Sequence, residues 1–349
     1  MAGAVSIGRP RMRRSTAVPL IVVLAAACSG AAGAPRTLTF GAYTTPREVY
    51  GREILPAFAA WWRDSTGQEV RFEESYLGSS AQARAIVAGF EADVAALSLE
   101  PDIETIARAG LIRHDWKRGP GAGVVTHSIV VIGVRAGNPK NIRDWSDLAR
   151  PGVQVLTPNP STSGGAMWNV AAVWGAALRG AAGTPGGAGD TTAATTLLTR
   201  ILRNVPIMDK GARESMLTFE RGVGDAIITY ENEALVARMA GQAIDYVVPR
   251  ATILIENPIA VVDVFAERHG NRDLAQAFVR FVMRSEMQRK FHGYGLRPGP
   301  GAPADTAHVW PPVADLFTVR DLAGWPALTA ALFAPGARFE RAVTAAAGR

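Results

Sequence analysis

The sequence of 349 residues contains one cysteine, Cys28, and five scattered histidines. One cysteine cannot close an internal disulfide, and the histidines show neither HExxH nor HxxxH spacing, which argues against a zinc site. A Walker A loop, a GxGxxG turn after a strand and a GxSxG nucleophile elbow are also missing from the sequence. We therefore expect no metal, no cofactor and no catalysis.

An excess of basic residues is missing once the N-terminal segment is set aside. The formal net charge is +6, but residues 1–27 hold four arginines, and the remainder has 33 basic and 31 acidic residues. No run of lysine and arginine is interleaved with aromatic residues, so we expect no nucleic-acid partner. With 48% hydrophobic and 19% charged residues, the composition is typical of a globular protein of about two domains.

Residues 1–27 have the organisation of an export signal, a basic stretch followed by an apolar run. The run is too short to cross a bilayer after folding. It ends at Cys28 in "LAAAC", which resembles the lipobox of bacterial lipoproteins, so we expect lipidation at Cys28 and a tether over 28–36. Cleavage after "AGA" at 32–34, leaving no lipid, is the alternative. Either outcome places the chain outside the cytoplasmic membrane, in the periplasm or on the membrane's outer face.

Beyond residue 36, predicted strands and helices alternate, which indicates an α/β fold with a mostly parallel sheet. "TLTFGAYT" predicts a strand, and Thr45 and Ser79 each open a predicted capping box. A helix is predicted from Gly164 to about Leu178, and "RDLAQAFVRFVMRSEMQRKF" predicts one amphipathic helix. The strand–helix pattern restarts near residue 153, so we expect two similar lobes.

Four predicted helix starts are rich in serine, threonine and glycine, and each is expected to follow a strand. They are Thr44–Thr45, Ser79–Ser80, Ser163–Gly165 and Gly211–Ala212. One such start alone is more often a helix cap than a binding site. Four of them can aim unpaired backbone N–H groups, hydroxyls and helix dipoles at one anion. In "TPNPSTSGGAMWN" the glycines would let backbone amides come close to that ligand.

Several stretches now carry a resemblance that extends over nearly all of the chain after the leader. In order they are "YTTPRE", "YLGSSAQA", "VRAGNPKNIRDWSDL", "TPNPSTSGGAMWN", "KGARESMLTFERGVGDAIITYENEAL" and "GLRP". On them the chain resembles the sulfate-binding proteins of bacterial ABC importers and the close thiosulfate-binding group. The resemblance implies a two-lobed α/β fold of periplasmic-binding-protein type II with its ligand cleft between the lobes. Lobe I would comprise 37–128 and 250–349, and lobe II 129–249.

The resemblance also implies a function and a set of site residues. The expected function is capture of sulfate by a monomer and delivery to an ABC permease, without catalysis. Thr44 and Ala212 would donate backbone N–H groups, and Ser79 both its N–H and its hydroxyl. Ser163 would donate its hydroxyl, followed by the N–H groups of two glycines. The complete set is Thr44, Ser79, Ser163, Gly164, Gly165, Ala212 and Tyr230.

Three positions depart from the family pattern. Tyr230 stands where sulfate binders have tryptophan, and a phenol can accept as well as donate a hydrogen bond. Thr44 stands where the family usually has aspartate, and Met167 replaces an arginine, whereas Arg213 is kept. Thiosulfate or molybdate are therefore alternative ligands. An exported hydrolase or transferase on the same fold is the alternative from another class, because a fold does not fix a function.

Overall fold

Strands and helices alternate in the computed structural model, which describes residues 1–4, 34–183, 187–299 and 310–348. Most of the leader, including Cys28, lies outside the described residues. The strands are β1 Arg36–Tyr43, β2 Val70–Leu77, β3 Val94–Ala96, β4 Val124–Arg135, β5 Val155–Leu156, β6 Ala226–Tyr230, β7 Ile244–Val247, β8 Ala251–Val261 and β9 Asp315–Phe317. The α-helices are α1 Arg47–Val49, α2 Leu55–Thr66, α3 Ser79–Val87, α4 Glu100–Arg108, α5 Gly164–Leu178, α6 Thr191–Arg203, α7 Ala212–Glu220, α8 Glu231–Met239, α9 Asp263–Arg268, α10 Arg272–Val282, α11 Ser285–Gly293, α12 Gly324–Leu332 and α13 Arg338–Ala347.

The strands form one path in the order β2-β1-β3-β8-β4-β6-β5, with β7 added to β4 and β9 added to β8. Pairing is parallel within β2-β1-β3 and within β5-β6, as predicted for both lobes. Between these groups, β8 runs antiparallel to β3 and to β4, and β4 runs antiparallel to β6. The long strands β4 and β8 therefore connect the two parallel halves, close to the predicted crossings at 128 and 250.

Each half has its own hydrophobic core. Phe40 of β1, Phe58 of α2 and Phe278 of α10 lie in one cluster and are fully buried. Trp168 and Trp174 of α5 lie in the other. This second cluster also contains buried side chains of β9, α12 and α13. The packing thus differs from the expected division, because the last helices contact lobe II although 250–349 was expected to lie in lobe I. Below, lobe II includes β9, α12 and α13.

The two predicted capping boxes are wrong. The helix expected after Thr45 has Pro46 at its N-cap, with no side-chain cap bond, and continues through a π-helical turn into α2. Helix α3 begins with Ser79 itself, because Gly78 holds the N-cap position at φ −55° and ψ 139°. The Ser79 hydroxyl is therefore free to bond outside its own helix.

Two further predictions need correction. The long amphipathic helix is two helices, α10 and α11, because Arg284 adopts an extended conformation at φ −64° and ψ 144° between them. Helix α7 follows α6 through a loop rather than a strand. By contrast, α5 spans Gly164–Leu178, as predicted. No helix in the described part of the chain is both long and apolar enough to span a bilayer.

Candidate functional site

The N-terminus of α5 lies against both lobes, and its two glycines make this possible. A β-carbon on Gly164 would lie 2.8 Å from the Ser98 hydroxyl oxygen. One on Gly165 would lie 2.9 Å from Tyr230 Cε2 and 3.1 Å from the Ala212 β-carbon. Such distances are shorter than carbon atoms tolerate, so only glycine permits this approach. The N–H groups of Gly164 and Gly165, in the first turn of α5, have no acceptor within their own helix.

Ser163 is the N-cap of α5 and is 2% exposed. Its backbone is extended, and its Oγ accepts a hydrogen bond from Ala166 N at 3.3 Å. A hydroxyl that accepts this bond still has its own proton to donate. The Ser163 side chain thus caps α5, and donation of its proton to an anion stays a prediction.

Ser79 differs from its expectation in one respect. Its Oγ lies 2.5 Å from Asp102 Oδ2 and accepts a hydrogen bond from Ser98 N at 2.9 Å. The hydroxyl predicted to face an anion is thus engaged by a carboxylate. Ser79 is the first residue of α3, so its backbone N–H has no acceptor within the helix, and donation of this N–H to an anion stays a prediction.

Tyr230 is fully buried at the end of β6, and its hydroxyl lies 2.6 Å from Ser98 Oγ. Either oxygen can donate in this pair. Burial raises the pKa of Tyr230 above its ordinary value, so the phenol keeps its proton. The Ser98 carbonyl accepts bonds from Trp168 Nε1 at 2.9 Å and Asn257 Nδ2 at 3.1 Å. Ser98 is therefore held rigidly between the lobes.

Thr44 and Ala212 meet at the same junction. A β-carbon on Gly211, the N-cap of α7, would lie 3.4 Å from Thr44 Oγ1. Thr44 is 8% exposed and Ala212 5% exposed, and Ala212 also faces Gly165. A chain of contacts thus joins all seven predicted residues.

The lobes also touch beside the site. Ala81 N donates to Thr162 O at 3.3 Å, and Arg84 Nη1 donates to Ser161 O at 3.0 Å. Both bonds join the first turns of α3 to the loop that precedes α5.

A buried arginine lies next to the N-terminus of α7. Arg213 Nη2 lies 2.8 Å from Glu48 Oε2 in lobe I, and its Nη1 lies 3.1 Å from Glu233 Oε2 in lobe II. The Arg213 side chain is 14% exposed and that of Glu233 is fully buried. Burial raises the pKa of Glu233 to about 6, against the opposing effect of the Arg213 charge. This cluster places one cation close to the site and links the lobes.

Sequence reasoning missed Ser98 and Asp102. Ser98 lies two residues after the end of β3, and Asp102 lies in the first turn of α4. The N-terminus of α4 is thus a further helix start in lobe I. The signal in the sequence was "LSLEPD", a serine followed by two acids. Acidic residues are common in the first turn of a helix, where they interact favourably with the helix dipole. This pattern alone therefore does not indicate a binding site.

The chemistry of the site is that of hydrogen-bond donation. First-turn N–H groups of three helices and several hydroxyls lie together, and the described residues contain no group of three or more potential metal ligands. Helix N-termini favour negative charge, so the arrangement suits a small anion. Each lobe contains parallel strands, β4 and β8 join the lobes, and helix N-termini meet between them. This arrangement defines the class: a two-lobed periplasmic binding protein of type II.

Comparison with known proteins gives the family. The profile of the bacterial extracellular solute-binding proteins matches residues 38–297. A sulfate-binding protein of Synechococcus elongatus is 41% identical over 338 residues, 94% of each chain. A thiosulfate-binding protein of Pseudomonas aeruginosa is 34% identical and covers 90% of this chain and 94% of its own. The solved structure of a sulfate-binding protein from Mycobacterium tuberculosis, 36% identical, superposes with a TM-score of 0.77 over 85% of this chain and 99% of its own. The chain belongs to the bacterial extracellular solute-binding protein family.

Proposed function

We propose that the protein binds sulfate outside the cytoplasmic membrane and delivers it to an ABC permease. The observation that carries this proposal is the meeting of the α3, α5 and α7 N-termini from both lobes around Tyr230. Sulfate carries no proton at neutral pH, so it needs hydrogen-bond donors and no acceptor. Unpaired first-turn N–H groups supply such donors. Relatives that bind sulfate support the same ligand.

In this proposal each site residue has a stated role. Thr44, Ser79 and Ala212 donate backbone N–H groups, and Ser163 donates its hydroxyl. Tyr230 acts in place of an indole donor, with Ser98 as the partner of its phenol. The two glycines of α5 donate N–H groups and permit the contact between lobes.

Thiosulfate is the second candidate, because Tyr230 stands where the sulfate binders have tryptophan and a thiosulfate-binding relative covers most of the chain. The two ligands share three oxygens and a double negative charge, so the same donors serve both. A phenol and an indole place their donors differently. The choice between these anions is therefore assigned to Tyr230.

Calorimetric titration of the protein without its leader tests the function. We expect one anion per chain and tight binding of sulfate, with weaker binding of thiosulfate, molybdate and phosphate. The anion recovered afterwards should be chemically unchanged, as for a binding protein and unlike the substrate of an exported hydrolase or transferase. Tighter binding of thiosulfate would transfer the assignment to the second candidate, and no heat with any of the four would overturn the proposal.

The surroundings of this activity are part of the proposal. Export by the N-terminal segment and lipidation at Cys28 would hold the protein at the outer face of the membrane, next to its permease. A monomer closing between two lobes is sufficient for capture. Residues 37–128 with the chain from 250 to α11 would form lobe I, and 129–249 with the last helices lobe II, in accordance with the packing.

A further inference from the structure

Asp102 is a buried carboxylate beside the site with no ion-pair partner among the described residues. Asp102 is 7% exposed, and its Oδ2 accepts hydrogen bonds from Ser79 Oγ at 2.5 Å and Ser80 Oγ at 3.3 Å. Within the described residues, no cationic nitrogen forms an ion pair with it. The buried Glu231 and Glu233, by contrast, each contact an arginine. A buried carboxylate without a cation is costly when ionised.

Hydrogen bonds connect this carboxylate to the site. Asp102 contacts Ser79, whose Oγ accepts from Ser98 N, and Ser98 Oγ contacts the Tyr230 hydroxyl. The position of one proton decides what Ser79 offers to a ligand. With Asp102 ionised, the Ser79 proton is directed to the carboxylate, and only an oxygen lone pair remains for an anion. With Asp102 protonated, its O–H donates to Ser79 Oγ, which frees the serine proton to donate to the anion.

We propose that sulfate binds together with one proton, which Asp102 takes up from solvent. The proposal rests on the proposed function and concerns how the same site accepts a dianion. Protonation removes the repulsion between Asp102 and the bound anion and turns Ser79 from an acceptor into a donor. Asp102 acts through Ser79 and is thus a positioning residue.

The other charged groups around Asp102 neither neutralise it in an ion pair nor take up the proton in its place. Arg84 on the adjoining α3 lowers the pKa of Asp102 only as a minor influence, and its guanidinium bonds to the Ser161 carbonyl. On α4 itself, Glu100 pairs with Lys117. Across the site, Tyr230 is neutral, and β8, which packs on α4, carries Glu256, another carboxylate.

The upward shift of the Asp102 pKa agrees with this geometry. Burial raises the pKa of Asp102 to about 6, against the opposing bonds from Ser79 and Ser80. A dianion beside it raises this pKa further, because a like charge disfavours ionisation. Asp102 thus has a lower pKa in the free protein and a higher pKa in the sulfate complex. Between these two values, sulfate affinity falls by up to about tenfold per pH unit as the pH rises. Below the lower value Asp102 is already protonated, and this dependence vanishes.

Calorimetry of sulfate binding in two buffers with different ionisation enthalpies counts the protons directly. At about pH 7.5, we expect uptake of close to one proton per sulfate bound, falling towards none near pH 5. Sulfate is the suitable probe because it does not itself titrate in this range. Binding with no difference between the buffers would overturn the proposal while leaving the sulfate function intact. The absence of any sulfate binding would instead overturn the function.

Two variants locate the proton. Asp102→Asn should bind sulfate with a proton uptake near zero and an affinity nearly independent of pH. Glu233→Gln removes another buried carboxyl near the site and should retain the uptake. Asp263→Asn serves as the matched control, since Asp263 is 2% exposed but contacts His114 and Arg113 away from the site. Uptake that survives in Asp102→Asn and is lost in Glu233→Gln would contradict the assignment.

Should Asp102→Asn fail to fold, Ser79→Ala tests the same connection. It removes the hydroxyl that transmits the proton's position while leaving the carboxyl in place. We expect weaker binding of sulfate and a less steep dependence of affinity on pH than in the unmodified protein. An unchanged slope would show that Asp102 does not act through Ser79.

Discussion

Ser161 and Ser163 lie two residues apart before α5, and only Ser163 is buried. The Ser161 side chain is exposed, and its contact with Arg84 uses the backbone carbonyl. Ser163→Ala should therefore weaken sulfate binding, whereas Ser161→Ala should not. A hydrogen bond to a charged partner contributes about 1.5–3 kcal/mol, so the expected loss is about tenfold or more. Titration calorimetry of both variants measures it, and equal losses would show that the site lies elsewhere.

Asp102 also affects stability, with a sign fixed by its raised pKa. The folded state holds the Asp102 proton more tightly than the unfolded chain, so ionisation costs stability as the pH rises from about 4 to about 6. At pH 8, the free energy of unfolding of Asp102→Asn should then exceed that of the unmodified protein by about 1–3 kcal/mol. Near pH 4 this gain should disappear. Urea denaturation at both pH values is the measurement, and an equal effect at both would exclude an ionised, buried Asp102.

At the scale of the element, α5 depends on having no side chain at its first two positions. Gly165→Ala should weaken sulfate binding by about tenfold or more, because its β-carbon would displace Tyr230 or Ala212 from the site. Gly51→Ala is the matched control: the same change lies in a helical turn, with Glu74 Oε2 at an ordinary 3.8 Å. Calorimetry and thermal denaturation of both variants separate binding from folding. Unchanged binding in Gly165→Ala would remove α5 from the proposed site.

Local sequence patterns were sufficient for α5 but not for α3. The serine before two glycines and an apolar run predicted the correct start of α5, since an N-cap bond is local. The same kind of pattern failed at Ser79, because its hydroxyl bonds to Asp102, 23 residues further along. A competing long-range partner is not visible in a window of a few residues.

The contacts that assemble the site extend still further along the chain. Ser98 meets Tyr230 across 132 residues, and Arg213 meets Glu48 across 165. The alternating pattern predicted the parallel halves and the helix starts, and the family resemblance selected the starts that form the proposed site. It did not indicate Ser98 or Asp102, which contact the predicted residues only through partners distant in the sequence. It also left the last helices in lobe I, although their apolar faces are buried against α5 and α6.

At the scale of the whole molecule, the predicted location depends on Cys28. Cys28→Ala should move the protein from the membrane fraction to the soluble extracytoplasmic fraction, because the lipid chains that anchor it would be lost. Ser29→Ala, next to it, should leave the distribution unchanged. Fractionation followed by immunoblotting measures this. A Cys28→Ala protein that remains in the membrane fraction would contradict lipid anchoring and favour the cleavage after residues 32–34.

The central claim is that the closed lobes present hydrogen-bond donors to an anion that carries no proton. Competition between sulfate and phosphate at neutral pH tests it most directly, because phosphate retains a proton that needs an acceptor, whereas Ser79 presents a donor once Asp102 is protonated. A buried O–H without an acceptor costs about 1–3 kcal/mol, so phosphate should bind about fivefold to a hundredfold more weakly than sulfate. Calorimetric displacement of bound sulfate by phosphate provides the ratio. Phosphate displacing sulfate at equal concentration would contradict the account.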